Sequence, residues 1–157
     1  MVLAAYMDNG YKLMVFLHIL SFFVAFSPAF VWPFVARKVR QDGGDAVGTI
    51  NRLAGGSSAR IYGPALAVGG LLGFGIAGMS KLEGTDELVY SVSDPWLSAA
   101  AVVWFLLLGV YFGLMAPAEK KVSQGDQSAG KILNMAGGIV HLLAAIALFL
   151  MVFKPGA

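Results

Sequence analysis

The chain has 157 residues, of which 58% are hydrophobic and 13% charged, and its mean hydropathy of +0.75 is too high for a soluble domain of ordinary surface. It contains no cysteine, which excludes disulfide bonds, thiolate catalysis, iron–sulfur clusters and cysteine-ligated zinc. The formal net charge is only +2, and the basic residues are scattered near the ends of apolar segments, which argues against nucleic-acid binding.

Four apolar segments are each long enough to cross a bilayer, which takes roughly 20 helical residues. They cover residues 11–36, 61–80, 96–117 and 132–153. Lipid offers no partner for backbone N–H and C=O groups, so we expect these segments to be helices. The sequence therefore predicts an all-α membrane protein, with residues 1–157 forming a single domain, an antiparallel four-helix transmembrane bundle.

Basic residues predict the orientation of the spans. The connections between spans one and two and between spans three and four carry Arg37, Lys38, Arg40, Arg52, Arg60, Lys120, Lys121 and Lys131. The other side has only Lys12, Lys81 and Lys154. By the positive-inside rule, we expect both basic connections in the cytoplasm of a bacterial cell and both termini outside its plasma membrane.

The first span contains Pro28 and Pro33 in the sequence FSPAFVWP. Each proline lacks a backbone N–H and clashes with the preceding turn, so we expect a kink near residues 24–29. In lipid, the carbonyl that loses its partner needs a new donor. Ser27 and Ser21 are the nearest candidates for that donor.

A short helix is predicted in the first basic connection. Asp45 suits the N-cap position, and Val47, Ile50, Leu53 and Ala54 fall on one face. This pattern favours a helix that lies at the membrane surface. Two interpretations remain open, a packed linker between spans and a docking element for a partner.

Small residues recur at every fourth position in the second and third spans. In lipid, such stripes let two helix backbones approach closely. We therefore expect helix packing at Ala65, Gly69, Gly73, Ala77, Gly109 and Gly113. Packing within the chain is the favoured interpretation, with dimerisation or a cofactor-facing surface as the alternatives.

The only two histidines lie inside apolar spans, His18 in VFLHILSFF and His141 in IVHLLAA. At about 1.5 Å per residue, His18 is roughly 10 Å and His141 roughly 18 Å from the outer face, an offset of about 8 Å. Three interpretations remain open. Each imidazole could be neutral and hydrogen-bonded to a carbonyl or hydroxyl across the bundle, with Ser21, Ser98 or Tyr111 as conceivable partners; the pair could ligate one b-type haem; or they could relay protons or contact a ligand.

No catalytic constellation is evident in the sequence. The acidic residues all fall in connections, so serine, histidine and carboxylate do not converge into a hydrolase arrangement. The stretch GGLLGFG lacks the strand, turn and lysine of a phosphate-binding loop and is predicted to be packed helix. Two histidines without an acidic residue at membrane depth make a poor zinc or copper site. Asn134 is expected to bond across helices or to lipid headgroups.

YKLMVFLHILSFFVAFSPAFVWP near the start and LFLMVFKPG at the end resemble an uncharacterised family of small, four-span bacterial membrane proteins, carried as a domain of unknown function. The likeness covers nearly the whole chain. A more distant similarity is to the membrane part of copper-resistance-D proteins and to four-helix, haem-linked protoporphyrinogen oxidases, which also place a histidine early in span one. That similarity implies a role for His18 alone. The oxidase pattern calls for further polar residues within the spans, which this sequence lacks.

The sequence favours a non-catalytic membrane protein, because little of the chain lies outside the spans and no charged pathway crosses them. We expect an accessory or structural role in the lipid bilayer, either as a self-assembled homo-oligomeric bundle or as a small subunit of a larger membrane complex such as a respiratory assembly. One alternative is a redox protein that binds haem b through His18 and His141. Another is a small channel or carrier that uses the kinked first span and the glycine-rich second span.

Overall fold

The structure is a computed structural model that describes residues 8–81 and 85–156. Helix α1 spans Asn9–Gln41, α2 spans Ala46–Ala54, and α3 spans Gly63–Met79 after a π-helical segment, π1, at Ser58–Tyr62. Helix α4 spans Pro95–Gly109 and continues through a second π-helical segment, π2 at Val110–Met115, into α5 at Ala116–Ser123; α6 spans Ala129–Phe153. Within the described residues, the only β-type pairing is an isolated bridge between Lys81 and Leu88.

Four helical stretches are long and apolar enough to cross a membrane, by length and composition. They run over Asn9–Gln41, Ser58–Met79, Pro95–Ser123 and Ala129–Phe153. The predicted all-α fold with four membrane-capable helices is thereby confirmed. At the ends joined by the basic connections, these helices continue into polar residues, so they extend beyond the predicted apolar segments.

The four spans close into a bundle with one thin side. Helices α1 and α3 share the most extensive interface, α4 packs against α3 and α6, and α6 returns beside α1 along the sparsest of these interfaces, the α1–α6 seam. The core lies where the spans meet and includes Ala25, Leu66, Leu107, Tyr111 and Val140. Many large apolar side chains are exposed on the outside of the bundle, as a lipid-facing surface requires.

Helix α1 runs unbroken through both of its prolines. Pro28 has no N–H for the Val24 carbonyl one turn earlier. The Ser27 hydroxyl donates to that carbonyl at 2.9 Å instead. Ser27 is one of the two donors that the sequence predicted. The next carbonyl, of Ala25, accepts a hydrogen bond of 2.7 Å from the Tyr111 hydroxyl on π2. Segment π2 therefore supports α1 at the turn where proline weakens it.

The third span does not end at Pro117, where the sequence analysis placed its end, but continues to Ser123. Pro117 falls in the first turn of α5, just after the wider turn of π2. The helix is continuous through Pro117, which lacks an N–H, so it has one backbone hydrogen bond fewer directly after this wider turn. The extension carries Glu119 beyond the apolar segment.

Both basic connections lie at one end of the bundle, which we call the basic end. There, α2 packs against α1 and α5, and the Val47 side chain lies so close to Gly130 of α6 that a Cβ at Gly130 would be 2.9 Å from it. Backbone turns with φ of 75° at Gly43 and 83° at Gly56 lead the chain into and out of α2. These contacts favour the packed-linker interpretation of α2.

The opposite end carries residues 8 and 156 and is called the terminal end. Helix α6 is capped there by Lys154, in the left-handed conformation with φ of 43°. The Lys154 ammonium donates to the Tyr90 hydroxyl at 2.7 Å and lies 4.1 Å from the Tyr90 ring centre and 5.7 Å from that of Trp96. This clamp ties the end of α6 to the connection before α4. The predicted outward position of residues 1 and 157 lies outside the described residues.

Candidate binding cavity

A cavity of about 370 Å³ lies along the α1–α6 seam, in the half of the bundle next to the basic end. Its apolar and small lining residues are Pro28, Ala29, Trp32, Pro33, Ala36, Ala46, Val47, Ile50, Ala54, Gly55, Met115, Leu133, Gly137, Gly138 and Val140. Its polar lining residues are Arg40, Asn51, Ser58, Tyr62, Tyr111, Glu119, Asn134 and His141. Volumes of roughly 300–1,000 Å³ with a mainly apolar lining are typical of small-molecule sites.

Small residues on facing helices leave this space open. Ala29 and Ala36 line it from α1, and Gly137 and Gly138 line it from α6. Apart from the adjacent backbone of α6 itself, no described atom lies within 4 Å of the position that a Cβ would take at either glycine. Protein interiors are otherwise packed nearly without voids. The cavity therefore arises from residue size on two spans that are far apart in the sequence.

His141 places an imidazole ring in the cavity wall. Its Nδ1 lies 2.7 Å from the carbonyl of Gly137, one turn earlier on α6. A carbonyl only accepts, so Nδ1 carries a proton and donates this bond. The exposed ring meets the edge of Phe30 across the seam, with ring centres 6.2 Å apart.

Glu119 joins the structural elements at the basic end of the cavity. Its carboxylate accepts hydrogen bonds from the Gly56 N–H at 2.8 Å, the Ser58 N–H at 3.3 Å and the Ser58 hydroxyl at 2.5 Å. The Asn51 amide, oriented by its partners, donates to the Glu119 backbone carbonyl at 3.2 Å and accepts from the Ser123 N–H at 3.3 Å. These bonds hold α2, π1 and α5 together as one wall.

Arg40 is the other formally charged residue of the lining. Its side chain is exposed. Among residues 8–81 and 85–156, the ion pairs within 4.0 Å join Lys38 to Asp42 and Lys81 to Asp86. Arg40 therefore has no carboxylate partner in the described part of the chain.

His18 lies outside the cavity, between α1 and α3. Its Nδ1 is 2.7 Å from the carbonyl of Gly69, and its ring meets the edge of Phe22 with ring centres 4.8 Å apart. The prediction of a hydrogen bond across the bundle is thus confirmed for His18. The partner is a backbone carbonyl and none of the three side chains that the sequence suggested.

The structure does not bring the two histidines together. Phe30, which touches His141, lies twelve residues after His18 on α1, about 18 Å along the helix axis. Since the ring centres of Phe30 and His141 are 6.2 Å apart, the two imidazoles are separated by at least about 12 Å. One haem iron would hold two opposing ring nitrogens within a few ångström of each other. The arrangement therefore does not fit a shared haem.

The small residues of α3 pack as the sequence suggested. A Cβ at Gly69 would lie 3.2 Å from the Phe22 ring, and a Cβ at Gly73 would lie 3.0 Å from the His18 ring, so both glycines face α1. Ala65 packs against the main core and Ala77 belongs to a second cluster near the terminal end. The stripe thus allows the close approach of α1 and α3.

Gly109 and Gly113 of the third span lie elsewhere. Both are exposed, and no described atom beyond their own helix comes within 4 Å of a Cβ placed there. The pair therefore packs against no other helix among residues 8–81 and 85–156. Contact with a second chain at these two glycines stays a prediction.

Gly70 of α3 makes a closer approach that the sequence analysis did not single out. A Cβ there would collide with the Trp104 ring, which is fixed by a hydrogen bond of 2.8 Å from its Nε1 to the Leu66 carbonyl. We expect Gly70→Ala to lower the free energy of unfolding by about 1–3 kcal/mol. Denaturant unfolding in detergent micelles would measure the change. Gly78→Ala, on the same helix with nothing within 4 Å, should change it by less than about 0.5 kcal/mol, and equal effects would contradict this packing.

Sequence reasoning did not assemble Arg40, Glu119 and Tyr111 into one site. Arg40 was counted only for orientation, and Tyr111 only as a partner for histidine. Glu119 does carry a signal, because APAEKK places a single carboxylate beside lysines just after a span, where an ordering contact is expected. Asn134, named for contacts across helices or with headgroups, lines the cavity.

Within residues 8–81 and 85–156, no group of three or more histidine, aspartate or glutamate side chains is placed to hold a metal ion. No protein-family model, curated protein or solved structure matches this chain.

Proposed function

We propose that this chain is a non-catalytic membrane protein that binds one amphipathic small molecule in the cavity along the α1–α6 seam. The observation that supports the proposal is a cavity of about 370 Å³ inside the membrane-capable bundle, with a mainly apolar lining. Its two formally charged lining residues, Arg40 and Glu119, both lie at the basic end. Apolar walls and charge at one end suit a molecule with an apolar body and a polar head.

The hydrogen bonds of the lining favour binding over bond cleavage. The Ser58 hydroxyl donates to Glu119, whereas His141 is bonded to the carbonyl of its own helix. No serine–histidine pair is therefore assembled among the described lining residues, and a serine hydrolase would need one. The polar groups instead serve to hold the wall together and to orient an occupant.

Access through the lipid side follows from the exposure of the seam. Pro33 on α1 and Asn134, Gly138 and His141 on α6 are both lining and exposed residues. With the basic end in the cytoplasm, as the positive-inside rule predicts, the cavity would open to the inner leaflet. An amphipathic molecule dissolved in that leaflet would reach it without crossing the bilayer.

Native mass spectrometry of the full chain, extracted in mild detergent, tests the proposal. We expect a one-to-one adduct of a small amphipathic molecule, which disappears after delipidation and returns in a saturable way when membrane lipid extract is added. A chain that never carries such an adduct, although it remains folded in the same detergent, would contradict cavity binding.

The same spectra address the accessory role that the sequence favours. A small subunit or a self-assembled bundle should give species heavier than one chain by the mass of a partner protein or of further copies. Species containing a single chain under every mild extraction condition would contradict both forms of that role, while leaving the binding proposal intact.

A further inference from the structure

Arg40 offers the cavity an unused positive charge. Its side chain lines the cavity at the basic end, and within the described residues it has neither a carboxylate within 4.0 Å nor a hydrogen-bond partner. Lys38, on the same turn of α1, is paired with Asp42 at 2.9 Å. An arginine is always charged and binds carboxylate or phosphate oxygens through two parallel N–H groups. Arg40 is therefore available to an anionic group in the mouth of the cavity.

Glu119, the other charged residue of the lining, does not occupy Arg40, because its carboxylate has partners of its own. The Glu119 carboxylate is bound by two backbone N–H groups and one hydroxyl, at the start of the π1 and α3 helical stretch. A helix N-terminus carries partial positive charge, which further balances the carboxylate. The surrounding connections are rich in lysine and arginine, so the potential at this end favours anions.

The length of the cavity points to the apolar part of the occupant. The lining along α1 runs from Pro28 to Arg40, twelve residues or about 18 Å. One leaflet contributes roughly 15 Å of the hydrocarbon core, half of its total thickness. An acyl chain that crosses one leaflet therefore matches the distance from Arg40 to the deep end. A volume of about 370 Å³ is near the lower end for small-molecule sites, which favours one chain over two.

We infer that the cavity takes a single-chain anionic amphiphile, with its carboxylate or phosphate head on Arg40 and its acyl chain between α1 and α6. This inference rests on the proposed function and names the class of molecule that is bound. Two sources share this chemistry, a free fatty acid and a single-tail lipid phosphate. His141, at the deep end, lies beside the chain and not beside the head.

Fluorescence quenching of Trp32, which lines the cavity, provides the test. The full chain is delipidated in non-ionic micelles and given bromine-labelled amphiphiles that share one tail but carry a carboxylate, phosphate, alcohol or trimethylammonium head. The Trp32→Phe variant supplies the signal of Trp96 and Trp104 for subtraction. The two informative variants are Arg40→Gln and its matched control Arg37→Gln, which removes an exposed charge that does not line the cavity.

The anionic heads should saturate at concentrations roughly tenfold or more below that of the alcohol, as a charge-assisted pair predicts. Arg40→Gln should remove this preference without changing alcohol binding, and Arg37→Gln should retain it. Tighter binding of the phosphate would identify a lipid phosphate as the source, and tighter binding of the carboxylate a free acid.

The inference can be overturned at two levels. The anionic assignment would be wrong, with cavity binding still in place, in three cases. These are equal saturation by anionic and neutral heads, a preference for the cationic head, and an unchanged anionic preference in Arg40→Gln. No saturable quenching of Trp32 by any head would overturn the proposed function itself.

Discussion

Replacing a cavity-lining glycine with leucine, Gly138→Leu, should sharply weaken binding of the amphiphile. Gly138 lines the cavity and has no atom within 4 Å of its Cβ position, so the new side chain can enter the space without disturbing the backbone. Overpacking of a filled site costs roughly 1–3 kcal/mol, which corresponds to about 5- to 150-fold in the dissociation constant. Saturable quenching of Trp32 or the mass adduct would measure the loss.

The chain offers a matched control for this substitution. Gly109→Leu introduces the same side chain at another exposed helical glycine with nothing within 4 Å, but outside the cavity lining. It should leave both binding and the free energy of unfolding unchanged within about 0.5 kcal/mol. If Gly138→Leu and Gly109→Leu bound the amphiphile equally well, the binding site could not be this cavity.

Removing one buried hydroxyl, Tyr111→Phe, should lower the stability of the bundle. Tyr111 is fully buried, and its hydroxyl donates to the Ala25 carbonyl at 2.7 Å, at the turn of α1 that Pro28 weakens. Without this hydroxyl the Ala25 carbonyl keeps only its partner within α1, and the hydrogen bond between α1 and π2 is lost. We expect the free energy of unfolding to fall by about 1–2 kcal/mol, measured by denaturant unfolding in micelles.

Tyr62→Phe is the corresponding control. Tyr62 is half-buried beside the same cavity, and its hydroxyl has no hydrogen-bond partner among the described residues. Its loss should change the free energy of unfolding by less than about 0.5 kcal/mol. A Tyr111→Phe protein as stable as the unmodified chain would mean that α1 does not depend on π2 at its proline turn.

The positions of the spans could be predicted because hydrophobic length is a local property of the sequence. The packing of Gly69 and Gly73 was also within reach, since a four-residue repeat lies on one face of any helix. The particular carbonyl that His18 contacts, that of Gly69, could not be predicted. A backbone carbonyl carries no side-chain signature, and this one becomes accessible only because the two helices approach closely at Gly69.

The cavity escapes prediction for a different reason. It depends on how α1 and α6 are rotated and offset, and residue counts along each span do not determine these quantities. The counts gave an offset of about 8 Å between the histidines, whereas the contact between Phe30 and His141 implies at least about 12 Å. Ala29, Ala36 and Gly138 are individually ordinary small residues, and only their placement on facing walls creates a binding space.

The thin α1–α6 seam has a consequence for how an occupant would be supplied. A molecule that arrives through this side comes from the hydrocarbon phase, so the concentration that governs occupancy is the one within the bilayer. Lengthening the tail of a ligand would then raise its potency in proportion to its lipid–water partition coefficient until the chain exceeds the pocket. Changes in membrane composition would alter occupancy even where the aqueous supply stays constant.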